Sequence, residues 1–202
     1  MTPERTEKLQ KVLSKRQAGF TLVLENVFDP HNISAVMRTC ESVGIQDIFV
    51  LNTKIPRHNK FGERSSSSAA KWLTIHQYEN AEECFAELRK RNFKIFTTWL
   101  GEGSVELYEM DFTQPMAIVF GNEQTGVSDE IRALADGNMV IPQVGIIQSL
   151  NISVACAVTV YEAFRQKRMA GHYDTPGLPQ QQYDELWTLW SENVKNVGNV
   201  EM

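Results

Sequence analysis

The chain has 202 residues, 42% hydrophobic and 22% charged, which suits one well-buried globular domain with terminal extensions. No apolar run approaches the roughly 18–20 residues that span a bilayer, and the charged opening MTPERTEKLQKVLSKRQ lacks the apolar core of a secretory signal, so a cytoplasmic protein without membrane contact is expected. The formal net charge of −5 argues against a nucleic-acid partner until its distribution is considered. Arg5, Lys8, Lys11, Lys15 and Arg16 face only Glu4 and Glu7 in the first segment, and Lys54, Arg57, Lys60, Arg64 and Lys71 face only Glu63 in a second. The acidic excess collects at the other end, after residue 173, where Lys195 is the sole Lys or Arg. Local basic patches decide phosphate contact more than the overall sum does.

In chain order, residues 4–17 read as a short amphipathic helix and 20–24 as a strand. A helix is expected over 32–43, with Ile33, Val36, Met37 and Cys40 at helical spacing and Gly44 as its stop. Residues 47–51 form a second strand. Residues 52–70 lack apolar periodicity and read as a basic, then serine-rich loop leading into a short helix. Strands follow at 72–76, 93–98 and 116–120, with a helix at 81–91 between the first two. The run 116–120 is continuously apolar, as expected of a buried parallel strand.

A helix capped by Ser128 occupies 128–135, a last strand 138–141, and a long, almost wholly apolar helix 152–168. Such a helix is buried on more than one side, and a second copy of the chain is a natural cover. A short tail helix is expected over 183–194. The alternation of strands and helices predicts an α/β domain over 20–171, flanked by extensions 1–19 and 172–202. Cys40, Cys84 and Cys156 are widely spaced in apolar contexts and read as buried thiols, and no metal-ligand cluster is present.

Ligands of open α/β sheets bind beyond the carboxyl ends of the strands, and three such loops stand out. ENVFDPHNISAVMR (25–38) places Asn32 at a helix start and Arg38 six residues on. Taken alone, this pair reads more readily as a helix cap and a surface arginine than as a site. VFGNEQTGVS (119–128) places two glycines around Asn122 and Glu123, which permits close backbone approach to a planar ligand. It is neither the dinucleotide fingerprint nor a P-loop. IPQVGIIQSLNISVA (141–155) is unusually apolar for a loop. Ser149 or Asn151 caps the long helix, and Val144, Ile146 and Ile147 are candidates to wall an adenine pocket.

In this order and spacing, the three segments resemble the SPOUT methyltransferases in their TrmH-type (SpoU) branch, over residues 21–170. The resemblance implies a mostly parallel sheet between helices, a C-terminal deep trefoil knot and a homodimer with its active site where two subunits meet. It also implies 2′-O-methylation of RNA ribose with S-adenosylmethionine as donor, S-adenosylhomocysteine as product and no metal. The short terminal extensions resemble those of enzymes acting on a tRNA D-loop guanosine, although this tail is acidic where theirs is basic. Relatives that act on ribosomal RNA often carry a larger N-terminal domain, for which residues 1–19 leave no room.

Carried onto this chain, the resemblance makes Arg38 the catalytic residue, oriented by Asn32, with Glu123 pairing a nearby cation and Ser149 and Asn151 closing the transfer site. Cofactor contacts are expected from Thr98, Leu100, Gly121, Ile141, Ile146 and Leu150. A guanidinium releases its proton very reluctantly, so a clamp on the adjacent phosphate suits Arg38 better than a base. Arg5, Lys8, Lys11, Arg16, Arg57, Lys60, Arg64 and Lys71 are the candidate phosphate contacts. Tyr161, Trp187 and Trp190 read as core or dimer contacts rather than base-stacking residues, and His31 as incidental. Two other readings stand beside this one: the same chemistry on ribosomal RNA or the anticodon loop, and an RNA-binding module without catalysis.

Overall fold

The structure, a computed structural model, describes residues 2–58, 69–101, 103–147 and 149–197. Strands β1 (Phe20–Glu25), β2 (Asp47–Leu51), β3 (Thr74–Tyr78), β4 (Lys94–Thr98), β5 (Val105–Glu106), β6 (Met116–Phe120) and β7 (Gly137–Val140) form one parallel sheet in the order β3-β2-β1-β6-β4-β7-β5. The helices are α1 (Pro3–Leu13), α2 (Pro30–Ser42), α3 (Ala81–Lys90), α4 (Asp129–Leu134), α5 (Ile152–Met169) and α6 (Gln180–Val197).

β1, β2 and β6 are buried at every position because helices cover both faces of the sheet. Side chains alternate between the faces. Leu22, Leu24, Ile48, Ile118 and Phe120 pack in one core with Ile33, Val36 and Met37 of α2 and Cys156 and Val160 of α5. Val23, Phe49, Leu51, Ala117 and Val119 pack in the other with Cys84, Phe85 and Leu88 of α3 and Ile131 of α4. All three cysteines are buried and free, and burial pushes the Cys84 thiol up to about 12.

Several boundaries move for local reasons. α2 begins two residues before the expected start because the cap is Asp29, whose Oδ1 accepts from His31 N at 2.8 Å, with Pro30 opening the helix. Asn151, not Ser149, caps α5. Gly44 ends the α2 segment at φ +85°, where an added Cβ would sit 2.6 Å from the Lys15 carbonyl. Trp72 belongs to a 3-10 turn (Ala69–Trp72), so β3 starts two residues late. The two-residue edge strand β5 is too short to carry a period and was not anticipated. α1 stops at Leu13, and the expected continuation through Arg16 and Gln17 is buried chain outside the helix.

The terminal helices pack on each other. Leu9 and Leu13 of α1 form a third core with Leu178, Leu186 and Trp190, and Trp72 meets Trp190 edge-on at 5.2 Å. Beneath them, Arg16 is fully buried. Its Nη2 reaches Glu41 Oε1 at 2.9 Å, its Nη1 donates to the Ile45 carbonyl at 3.1 Å, and its guanidinium lies 5.1 Å from the centre of the Trp190 ring. The expectation that Arg16 contacts RNA phosphate is therefore corrected, since a tail helix covers it and spends its charge inside the protein. Gln182 of α6 also donates to Asp47 at 3.1 Å. Burial alone would raise the Asp47 carboxyl, but His76, Arg91 and Gln182 together hold it below the usual range. Among the described residues, no helix is long and apolar enough to cross a membrane.

Candidate active site

The C-terminal ends of β1, β6, β4 and β7 lie side by side, and the loops leaving them build the site. Glu25, the last residue of β1, is 1% exposed, and its Oε2 accepts from Ser128 N at 3.0 Å, tying the β1 corner to the cap of α4. The next residue, Asn26, sits at φ +49°, a region asparagine tolerates. Its carboxamide binds Thr53 Oγ1 (3.0 Å) and Lys54 N (2.8 Å), and its carbonyl accepts from Asn122 Nδ2 at 2.8 Å. The first and second motif loops are thus stitched together by backbone-directed amides.

The second loop is pinched shut. Asn122 and Gly126 exchange two backbone hydrogen bonds at 3.2 and 2.9 Å. Gly126 is at φ +67°, and a Cβ on Gly121 would lie 2.2 Å from Val127 N, so neither position accommodates an ordinary side chain. The pinch places Glu123 at the tip. Asn32 Nδ2 donates to Glu123 Oε1 at 2.8 Å, and Asn32 Oδ1 accepts from Asn151 Nδ2 at 3.3 Å. Asn151 simultaneously caps α5 through Ser153 N at 2.9 Å. One carboxamide, Asn32, therefore joins all three motif loops. Arg38 is exposed on the same helix, and its side chain makes no hydrogen bond or ion pair among the described residues.

Behind this network lies a cleft of about 590 Å³, within the size range of small-molecule sites. Thr98, Leu100, Gly121, Ile141 and Leu150 all line it, as do Glu123, Ser149 and Asn151. Ile146 does not. It is fully exposed, with Val144 and Ile147 also in solvent. The expectation that these three wall the pocket is corrected for the single chain: of the apolar residues in this segment Ile141, Leu150, Ile152 and Ala155 line the cleft, and Phe120 and Met139 complete the apolar wall.

Sequence reasoning missed the residues that hold this geometry: Glu25, Asn26, Asn122, Trp99 and Asn138. Asn138 of β7 accepts from Trp99 N (2.9 Å) and Thr97 Oγ1 (2.8 Å) and donates to the Trp99 carbonyl and to Ser104 Oγ (2.7 Å). Asn26 and Asn122 lie inside quoted motifs, and a polar residue directly after an apolar strand was the available signal. Asn138 gave none.

Of the candidate phosphate contacts, Arg5, Lys8, Lys11 and Lys71 are exposed. Arg57 is exposed while its Nε donates to Gln77 Oε1 at 3.0 Å. Lys60 and Arg64 lie outside the described residues. Trp190 is core, Trp187 packs beside it, and Tyr161 is 53% exposed. Among the described residues, no three His, Cys, Asp or Glu gather as a metal-ligand set.

Residues 19–161 match the model of the SpoU rRNA Methylase family. The chain is 40% identical over 191 residues to the tRNA (guanosine(18)-2'-O)-methyltransferase of Thermus thermophilus, covering 94% of this chain and 96% of that one. Its structure is similar to that of the A. aeolicus TrmH/SpoU tRNA modifying enzyme, with a TM-score of 0.86 and 36% identity over 94% of this chain and 96% of that chain. It is also similar to the SpoU methyltransferase AviRb from Streptomyces viridochromogenes in complex with the cofactor AdoMet, with a TM-score of 0.68 and 26% identity over 77% of this chain and 63% of that chain.

Proposed function

We infer that this chain, which belongs to the SpoU methylase family, transfers a methyl group from S-adenosylmethionine to the ribose 2′-oxygen of a D-loop guanosine in tRNA. The observation that carries the activity is the Asn151–Asn32–Glu123 chain of hydrogen bonds at the mouth of the cleft, with Arg38, unpaired among the described residues, on the same helix as Asn32. The choice of guanosine is supported by the near full-length similarity to enzymes named for guanosine 18.

The cleft suits the donor. Its apolar wall offers a place for the adenine, the Cβ-free approach at Gly121 bares backbone groups to a planar ring, and Glu123 supplies negative charge for a sulfonium. S-adenosylmethionine brings an electrophilic methyl group, and the protein has to orient the nucleophile and let its proton leave. Asn32, held from both sides, fixes the ribose edge and Glu123. Arg38 keeps its proton and clamps the phosphate beside the target ribose, so that phosphate or water takes the 2′-hydroxyl proton. Ser149 and Asn151 close the site from the start of α5. No metal takes part.

In this reading the protein acts in the cytoplasm as a homodimer whose C-terminal segment is threaded through a trefoil knot. The exposed Val154, Tyr161 and Met169 of α5 support a self-association surface. Segments 1–19 and 172–202 extend the catalytic domain, and Arg5, Lys8, Lys11, Arg57, Lys60, Arg64 and Lys71 meet tRNA phosphates. The test is methyl transfer from labelled S-adenosylmethionine to unmodified tRNA transcripts, with the product nucleotide mapped. A 2′-O-methylguanosine in the D-loop, absent with Arg38→Ala, is the expected result. Label in the anticodon loop, or only in ribosomal RNA, would overturn the substrate, and absence of cofactor binding would overturn the activity.

A further inference from the structure

Trp99 follows β4 directly, between Thr98 and Leu100, and lines the same cleft as both. A large aromatic at 43% exposure is ordinarily loosely held, and this one is not. The Arg132 guanidinium of α4 lies 4.1 Å from its ring centre and is itself fixed by Asp129. The backbone N–H and C=O of Trp99 are both bound by one carboxamide, Asn138. Gly101 packs so closely on the indole that any Cβ there would overlap the benzo ring. Ser104 Oγ closes the loop by donating to the Gly101 carbonyl at 2.6 Å. Elements from β4, α4 and β7 thus converge to hold one indole in one pose at the cleft wall.

An aromatic wall immobilised in advance forfeits little entropy when a flat ligand packs on it. We propose that Trp99 is a specificity-determining residue of the cofactor site, packing on the adenosine portion of the methyl donor, and that Arg132 is its positioning residue. Adenosine is the fitting occupant because the wall beside Trp99 is apolar and the Cβ-free approach at Gly121 offers backbone groups to a planar ring, while the charge of Glu123 further along that loop is left for the sulfonium. The proposal rests on the methyltransferase reading above. Aromatic packing of this kind corresponds to about a tenfold change in affinity.

Calorimetric titration of the full chain with S-adenosylhomocysteine and with 5′-methylthioadenosine, which keeps the adenosine but lacks the amino acid, tests it. Trp99→Leu is expected to weaken both ligands by the same factor of about ten, with a melting temperature in the absence of ligand lowered by no more than about 4 °C through loss of the Arg132 contact. Trp99→Phe should restore most of the affinity, and Arg132→Gln should fall between. Tryptophan emission should respond to S-adenosylhomocysteine in wild type and lose that response in Trp99→Phe. Wild-type affinity in Trp99→Leu, or a loss confined to S-adenosylhomocysteine, would overturn the proposal and leave the methyltransferase reading standing. Failure of the wild-type protein to bind either ligand would overturn both. If Trp99→Leu does not fold, Trp99→Phe and Arg132→Gln decide: an emission response that survives Trp99→Phe, or full affinity in Arg132→Gln, refutes it.

Discussion

Replacing Arg16 by alanine should destabilise the fold and leave tRNA contact untouched. The side chain is fully buried, whereas that of its partner Glu41 is 31% exposed. Removing one member of a buried pair costs about 3–5 kcal/mol. The lower end applies here because Glu41 can rehydrate. Loss of the cation over Trp190 adds roughly 0.5–1 kcal/mol. Among the described residues Arg16 Nε and Trp190 Nε1 have no hydrogen-bond partner, which reduces what the native arrangement is worth. A net loss of about 3 kcal/mol follows, or roughly 6–12 °C in melting temperature for a chain of this size. Arg16→Met, which keeps the volume, should recover part of it. Thermal unfolding followed by circular dichroism reads the loss. Binding of tRNA across a salt series reads the rest: Lys8→Ala should lower the log–log slope by about one, and folded Arg16→Ala should leave it unchanged. A variant with native melting temperature and a slope reduced by one would return Arg16 to the RNA surface and refute the argument.

Three further outcomes are expected. Arg38→Lys should cut kcat at least tenfold with S-adenosylhomocysteine affinity unchanged, because a point charge does not reproduce a forked clamp; equal activity in single-turnover assays would count against the clamp. Gly121→Ala should abolish cofactor binding by calorimetry, since its Cβ would lie 2.2 Å from Gly126 C and Val127 N. Burial lowers Lys167 from 10.5 to about 8, with Asp111 only partly offsetting it. Below pH 8 both folded and unfolded chains hold this proton and the penalty is constant; between about 8 and 10.5 the folded chain alone has released it, so stability rises with pH. Lys167→Met should remove that rise and add on the order of 2–3 kcal/mol at pH 7 in denaturant titrations, and an unchanged pH profile would show that Lys167 does not cause it.

The order and type of the main elements were legible in the sequence because they rest on local rules. Residues 47–51 and 116–120 are apolar strands at the expected positions, Ser128 caps α4, and the periodicity of α2 marks its inward face. The motif residues Asn32, Glu123 and Asn151 were identified as a set, and their hydrogen bonding across 91 and 119 residues fits that grouping. Other features required the assembled molecule. Strand order is a matter of long-range pairing, and it alone places the ends of β1, β6, β4 and β7 together. Arg16 looked like its basic neighbours until α6, far along the chain, covered it. Ile146 is as apolar as Ile141, yet one is fully exposed and the other lines the cleft. Asn138 carries no motif, but its carboxamide organises the Trp99 loop. Periodicity and capping are encoded within a few residues, so sequence determines them. The partner of a buried charge or amide is set by distant segments, and only the tertiary structure decides it.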